Sequence, residues 1–143
     1  MMNDHRPRAQ FTELVKLHLQ GRRLLDRDTE RKLLEEGVTR YGLTLDEASG
    51  VLRSHAGSDE IALEGEVSRS SSHLLKTMAD RRGRVARDDF GKVVAFYRAR
   101  AGSQLSQPEA ERRVKRIMEE NDLQPKRSGT LLRTRRWYRA IEI

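Results

Sequence analysis

The hexapeptide LTLDEA at residues 43–48 predicts a helix start, and LSQPEA at residues 105–110 repeats its pattern at an offset of 62 residues. In the first hexapeptide, Thr44 is followed three residues later by Glu47. This spacing is typical of a capping box, in which the hydroxyl accepts the N3 amide proton and the carboxylate accepts the N-cap amide proton. The second has Ser and Glu at the same spacing, with Pro108 in the first turn, where its missing N–H costs nothing.

The similarity continues upstream of the two hexapeptides. At an offset of 60 residues, seven identities connect the two halves of the chain: Leu14, Lys16, Arg27, Asp28, Lys32, Arg40 and Gly42 match Leu74, Lys76, Arg87, Asp88, Lys92, Arg100 and Gly102. An insertion of two residues at 103–104 accounts for the change of offset. The pattern favours an ancient duplication, and convergence of two capped amphipathic helix pairs is the alternative explanation.

Apolar residues recur at helical spacing along most of the chain, and no strong strand pattern interrupts them. We therefore predict an all-α fold in which residues 1–143 form a single helical domain of about six helices. Two similar three-helix units are expected at about 10–55 and 70–121, joined by an extended connection at 56–70. Asp88 is the expected N-cap of the helix that follows it.

The C-terminal extension, residues 122–143, is basic and aromatic and departs from this pattern. It is expected either to form short strands at 130–132 and 137–143 or to dock on the helices as an extension.

The segment at residues 80–90, in the second unit, carries a short motif. Gly83 is followed two positions later by the apolar Val85, and acidic residues then begin a helix. This order resembles the loop of EF-hand proteins and of the TerB-like helical proteins, and the resemblance implies a helical scaffold. It implies no metal site, because calcium loops need oxygen ligands at alternating positions, and Met78 and Arg82 stand at two of those positions.

Several classes of function lack support in the sequence. The chain has no cysteine, which excludes disulfides, thiolate metal sites and cysteine nucleophiles. The four histidines are scattered, and no Gly-rich phosphate loop or nucleophile elbow occurs. We therefore expect no enzyme activity, no catalytic residues, no cofactor and no metal. No apolar run approaches the roughly 18 residues that a membrane span needs, so we expect a cytoplasmic protein without a membrane span.

Positive charge is concentrated in the second half of the chain. The net charge is +7, and residues 81–143 hold 17 basic and 8 acidic side chains. Two groups of candidate binding residues follow, a linker cluster of Arg81, Arg82 and Arg84 and a tail cluster of Arg133, Arg135, Arg136, Trp137, Tyr138 and Arg139. The arginine guanidinium pairs with carboxylate or phosphate. Aromatic rings among arginines are typical both of nucleic-acid stacking surfaces and of protein hot spots.

These clusters leave three roles open. The leading expectation is a small non-enzymatic accessory or regulatory protein whose basic C-terminal face binds an acidic surface of a protein partner. The alternative is a nucleic-acid-binding protein that uses the same Arg, Trp and Tyr face on phosphates. In the third, Trp137 closes the core as a terminal lid, which is compatible with either kind of binding. Homo-oligomerisation also stays open.

Overall fold

The computed structural model describes residues 5–102, 104–129 and 131–142. Over these residues the chain forms seven helices and four two-residue strands, which confirms the all-α class. The helices are α1 His5–Leu19, α2 Arg27–Thr39, α3 Leu45–Ser58, α4 Glu64–Met78, α5 Arg87–Ala101, α6 Gln107–Glu120 and α7 Arg136–Arg139. The strands are β1 Leu24–Leu25, β2 Ala62–Leu63, β3 Arg84–Val85 and β4 Gln124–Pro125. The helix beyond the expected six is α7, a single turn in the tail.

By their internal contacts, the residues divide into two compact units, the first ending at Gly65 and the second beginning at Glu66. Unit 1 contains α1, β1, α2, α3 and β2, and unit 2 contains nearly all of α4 with β3, α5, α6, β4 and α7. Apart from α7, the order of elements is the same in both units.

Unit 1 is closed by a short parallel strand pair, in which Leu24 pairs with Ala62 and Leu25 with Leu63. The pair joins the α1–α2 connection to the segment that follows α3. Every helix of unit 1 contributes to the core of the unit. The buried residues are Phe11, Val15, Leu19, Leu33, Ala48, Val51, Leu52 and Ala56 of the helices and Leu25 and Leu63 of the strands.

Unit 2 repeats this arrangement, since Arg84 pairs with Gln124 and Val85 with Pro125 in a second parallel strand pair. The backbone contact at the strand entry is also repeated: the Ala62 amide donates to the Arg23 carbonyl at 2.9 Å in unit 1, and the Gln124 amide donates to the Gly83 carbonyl at 2.9 Å in unit 2. The core of unit 2 includes Leu75, Val85, Val93, Val94, Tyr97, Ala110, Val114 and Met118.

At one pair of core positions, the large and the small side chain are exchanged between the two units. In unit 1, a Cβ on Gly37 would lie 3.0 Å from the Phe11 ring, so the glycine leaves room for a large side chain on α1. At the offset of 60 residues, Phe11 corresponds to Ser71 and Gly37 to Tyr97, and both residues of unit 2 are buried. Unit 2 therefore has the small residue on its first helix and the large one on its second.

Local cap signals determine three of the helix starts. Thr44 and Glu47 form the complete capping box that their spacing predicts. Ser106 accepts the amide proton of Glu109 at the start of α6, and Asp26 caps α2 by accepting from the Thr29 amide. These contacts lie within four residues of the chain, which is why the sequence alone predicts them.

The expected cap at Asp88 is wrong. The N-cap of α5 is Ala86, which has extended backbone angles and no side-chain cap hydrogen bond. The helix starts earlier because β3 ends at Val85, whose pairing with Pro125 sets where the chain leaves the strand. Asp88 and Asp89 lie in the first turn, where a negative charge interacts favourably with the helix dipole.

The expectation about the connecting segment is also wrong. Residues 56–70 are not one extended connection, because α3 continues to Ser58 and α4 begins at Glu64. Of the two alternatives for the tail, the structure has the docked extension: residues 136–139 form α7 rather than a strand, and the Trp137 ring packs on Phe90. Successive side chains of a strand point to opposite faces, whereas one helical turn lets neighbouring rings pack on the same residue. Thr130 and Ile143, which belong to the expected strands, lie outside the described residues.

Candidate cationic binding site

The tail docks on unit 2 through Trp137. The indole Nε1 donates a hydrogen bond to the Lys126 carbonyl oxygen at 3.0 Å. Its ring is half-buried and meets Phe90 of α5 edge-on, with centroids 5.3 Å apart. The indole therefore has both its donor and much of its surface engaged within unit 2.

Tyr138 is engaged more completely and is only 8% exposed. Its ring packs edge-on against Phe90 at 6.3 Å, and the Lys115 ammonium lies 4.6 Å from the ring centroid. The same ammonium donates to the carbonyl oxygens of Tyr138 at 3.0 Å and Ile141 at 2.7 Å. Burial, with a smaller contribution from the Glu119 charge, raises the pKa of Tyr138 to about 12.

The linker cluster is organised by Asp80. Its carboxylate accepts from the backbone amides of Arg82 at 2.9 Å and Arg84 at 3.0 Å, and from the Arg84 Nε at 3.2 Å. Hydrogen bonding from Arg84 is the main cause that holds the pKa of Asp80 below its usual value. Gly83, at φ 72°, allows the chain to reverse between these contacts.

The strand pair of unit 2 brings linker and tail together. Arg84 pairs with Gln124, and the Lys126 amide donates to the Val85 carbonyl at 2.8 Å. Lys126 also places its ammonium 3.8 Å from the Asp80 carboxylate. Because the Lys126 carbonyl accepts from the Trp137 indole, this one residue connects the tail cluster to Asp80, the carboxylate that organises the linker cluster.

The candidate side chains differ in exposure. The exposed arginines are Arg81, Arg82, Arg133, Arg136 and Arg139. Arg84, Arg135 and Trp137 are half-buried, and Tyr138 is buried. The surface that the nine candidates present is therefore made of guanidinium groups, with the aromatic rings turned to the interior of unit 2.

A groove of about 400 Å³ lies between the end of α6 and α7. It has both signs of charge on its walls, with Arg135 and Arg139 facing a lining that also includes Glu119 and Asp122. Among the described residues, the Arg135 Nε is a buried donor without a hydrogen-bond partner.

The sequence analysis did not select Leu131 and Leu132, which are 97% and 80% exposed. They lie in a loop closed by a reciprocal backbone pair, in which the Ser128 amide donates to the Thr134 carbonyl at 2.7 Å and the Thr134 amide donates back at 3.0 Å. Two adjacent leucines are equally compatible with a buried strand and with an exposed loop, so the sequence alone does not predict that they are exposed. Arg127, next to the loop, is also exposed.

Within the ranges that the structure describes, no three His, Asp or Glu side chains are grouped so that they could hold a metal ion. None of the helices described is both long and apolar enough to cross a membrane. Comparisons of the chain with protein-family models, with curated proteins and with solved structures found no match. The resemblance to EF-hand and TerB-like proteins therefore stays a prediction.

Proposed function

We propose that this chain is a non-enzymatic accessory or regulatory protein that docks on an acidic surface of a protein partner. The binding groups are the exposed arginines of the two clusters: Arg81, Arg82, Arg133, Arg136 and Arg139. Arg135 and Arg139 add a groove into which a partner carboxylate can enter. A cytoplasmic location and homo-oligomerisation stay predictions beside it.

The observation that carries the proposal is the opposite orientation of rings and charges in the tail. Trp137 and Tyr138 pack on Phe90, whereas the neighbouring Arg136 and Arg139 are exposed. Binding of single-stranded nucleic acid depends on aromatic rings on which bases stack, and here the Tyr138 ring is buried and the Trp137 ring is half-buried. Charge pairing with carboxylates needs only the guanidinium groups, which are available.

The mixed charge of the groove supports the same choice. Glu119 and Asp122 line it beside Arg135 and Arg139. Carboxylates at this position repel a phosphate backbone, whereas a protein surface offers charges of both signs that can match them. The Arg135 Nε is a buried donor without a partner, so we expect the Arg135 side chain to move when it donates to a partner carboxylate.

The alternative, binding of nucleic acid through phosphates, is favoured by the excess of positive charge in residues 81–143. It makes a different prediction about salt. If the five exposed arginines each neutralise one phosphate of duplex DNA, the log–log slope of affinity against salt is about −4.5.

The test is an NMR titration of the full chain with an oligoglutamate peptide and, separately, with a short DNA duplex, at about 50, 150 and 300 mM salt. The proposal expects oligoglutamate to shift the amides of 81–84 and 133–139 and the Nε–H signal of Arg135. Replacing Arg133, Arg136 and Arg139 by Gln should weaken this binding about tenfold or more. The matched control replaces three exposed arginines of unit 1 and should bind as wild type: Arg22→Gln, Arg23→Gln and Arg31→Gln.

Two results overturn the proposal. Tighter binding of DNA than of oligoglutamate at about 150 mM salt, with the steep slope given above, selects the nucleic-acid alternative. Absence of shifts with both probes at about 50 mM salt shows that the exposed arginines are only solvated surface.

A further inference from the structure

The most exposed apolar side chains described in this chain are Leu131 and Leu132, at 97% and 80%. They belong to the loop closed by the Ser128–Thr134 backbone pair, which we call the leucine loop. Scattered exposed leucines are ordinary. Leu131 and Leu132, however, are adjacent in a closed loop and almost wholly in water. Burying both would stabilise a complex by about twice the burial free energy of one leucine, and only another molecule can bury them.

Backbone contacts hold together the described parts of the loop, residues 128–129 and 131–134. Two hydrogen bonds close its base, at 2.7 and 3.0 Å. Gly129 has φ 142°, and a Cβ on it would overlap the carbonyl oxygen of Leu132. The glycine therefore permits a close approach of the two sides of the loop that any other residue would obstruct.

In the sequence, cations flank the leucine loop on both sides, and no acidic residue lies among them. Residues 126–136 contain five Lys or Arg side chains and no Asp or Glu. Of these, Arg127, Arg133 and Arg136 are exposed. Lys126 is directed to Asp80, and Arg135 is half-buried. Two exposed apolar side chains and three exposed cations therefore lie within ten residues of the chain, at 127–136, and we call these five side chains the amphipathic tip.

We propose that the leucine loop inserts Leu131 and Leu132 into the surface of an anionic lipid bilayer while Arg127, Arg133 and Arg136 contact the lipid phosphates. The two signals act together, because one apolar insertion or one cluster of cations alone gives only weak, reversible attachment. This goes beyond docking on an acidic protein, since it assigns the tip a lipid surface that needs no protein partner.

The composition of the tip favours a bilayer over a second protein. Protein hot spots are rich in Trp, Tyr and Arg, and leucine is under-represented there. In this tail Tyr138 is buried and Trp137 is half-buried against Phe90, so that the leucines are the most exposed of its large apolar side chains. A stable protein interface needs roughly 800 Å² on each side, whereas insertion into lipid needs only the tip itself.

The test is sedimentation of the full chain with vesicles of phosphatidylcholine alone and of phosphatidylcholine with roughly 30% phosphatidylglycerol, at about 50 and 150 mM salt. Wild-type protein should partition about tenfold or more in favour of the anionic vesicles. Leu131→Ser with Leu132→Ser should reduce that partition about tenfold or more. Leu17→Ser is the matched control, because Leu17 is 68% exposed on α1, and it should bind as wild type.

A charge variant and a protein probe complete the design. Arg127→Gln with Arg133→Gln should reduce partition to anionic vesicles, whereas Arg22→Gln with Arg23→Gln should not. Three outcomes overturn the inference: no binding to anionic vesicles at low salt, equal binding by the double-leucine variant, or equal binding to both vesicle types. Binding to oligoglutamate with no binding to vesicles assigns the tail to a protein surface, which rejects this inference and leaves the proposed function in place.

Discussion

Replacement of Tyr138 measures how much the docked tail stabilises unit 2. The ring is 8% exposed, and removal of a large buried ring to Ala costs about 3–5 kcal/mol in folded proteins. The tail lies at the surface and can relax, so the lower end, about 3 kcal/mol, applies to the ring itself. Loss of the Lys115 ammonium from the ring face adds about 0.5–1 kcal/mol. Tyr138→Ala should therefore lower the free energy of unfolding of unit 2 by about 3.5–4 kcal/mol.

The assay is urea denaturation followed by tryptophan fluorescence. Trp137 is the single tryptophan of the chain and lies in unit 2, so its signal reports on that unit. With an m-value of about 1–2 kcal/mol/M, the midpoint should fall by about 2 M or more. Tyr138→Phe keeps the ring and is the control, with a midpoint near that of wild type. A shift below about 0.5 M for Tyr138→Ala would refute the packing argument.

Three further predictions concern pH, the linker and the core. The pKa of Tyr138 is raised from 10.0 to about 12 in the folded chain, so its contribution to stability is complete below pH 10.0 and is lost as the pH rises to about 12. The stability of wild type and of Tyr138→Phe, measured as a function of pH, should therefore diverge in this range, and parallel curves would contradict the prediction. Because the pKa of Asp80 is lowered, its contribution to stability is present above the usual pKa of 3.8 and is lost as the pH falls further into the acid range. Asp80→Asn should speed hydrogen exchange of the Arg84 amide at neutral pH, and unchanged exchange would argue against the hydrogen bond between Asp80 and this amide. Gly37→Ala should cost about 1–3 kcal/mol in thermal or urea unfolding, because a Cβ there would lie 2.9 Å from the Ala48 Cβ and 3.0 Å from the Phe11 ring. Adding Ala48→Gly removes the nearest of these atoms, so the double variant should lose less than the sum of the two single losses, and simple additivity would count against the clash.

The balance between local and long-range causes explains what the sequence predicted. The capping box of Thr44 and Glu47 joins residues three positions apart, and apolar periodicity acts over one or two helical turns. Both are determined by nearest neighbours, so the all-α class and most helix starts follow from the residues. The N-cap at Ala86 does not, because pairing of β3 with β4 depends on residues about forty positions later.

The candidate site divides in the same way. Composition and order of residues determined that the tail is basic, aromatic and rich in arginine, and that Gly83 and Val85 stand in an EF-hand-like order. Whether Trp137 and Tyr138 face water or the interior depended on Phe90 and Lys115, which lie far away in the sequence and supply the ring contact and the ammonium. Two adjacent leucines carry no periodicity, so only closure of the loop at Ser128 and Thr134 placed Leu131 and Leu132 in water. Local propensity acts within a turn of helix, whereas burial is decided by every segment that packs on a side chain, and only the tertiary structure brings those segments together.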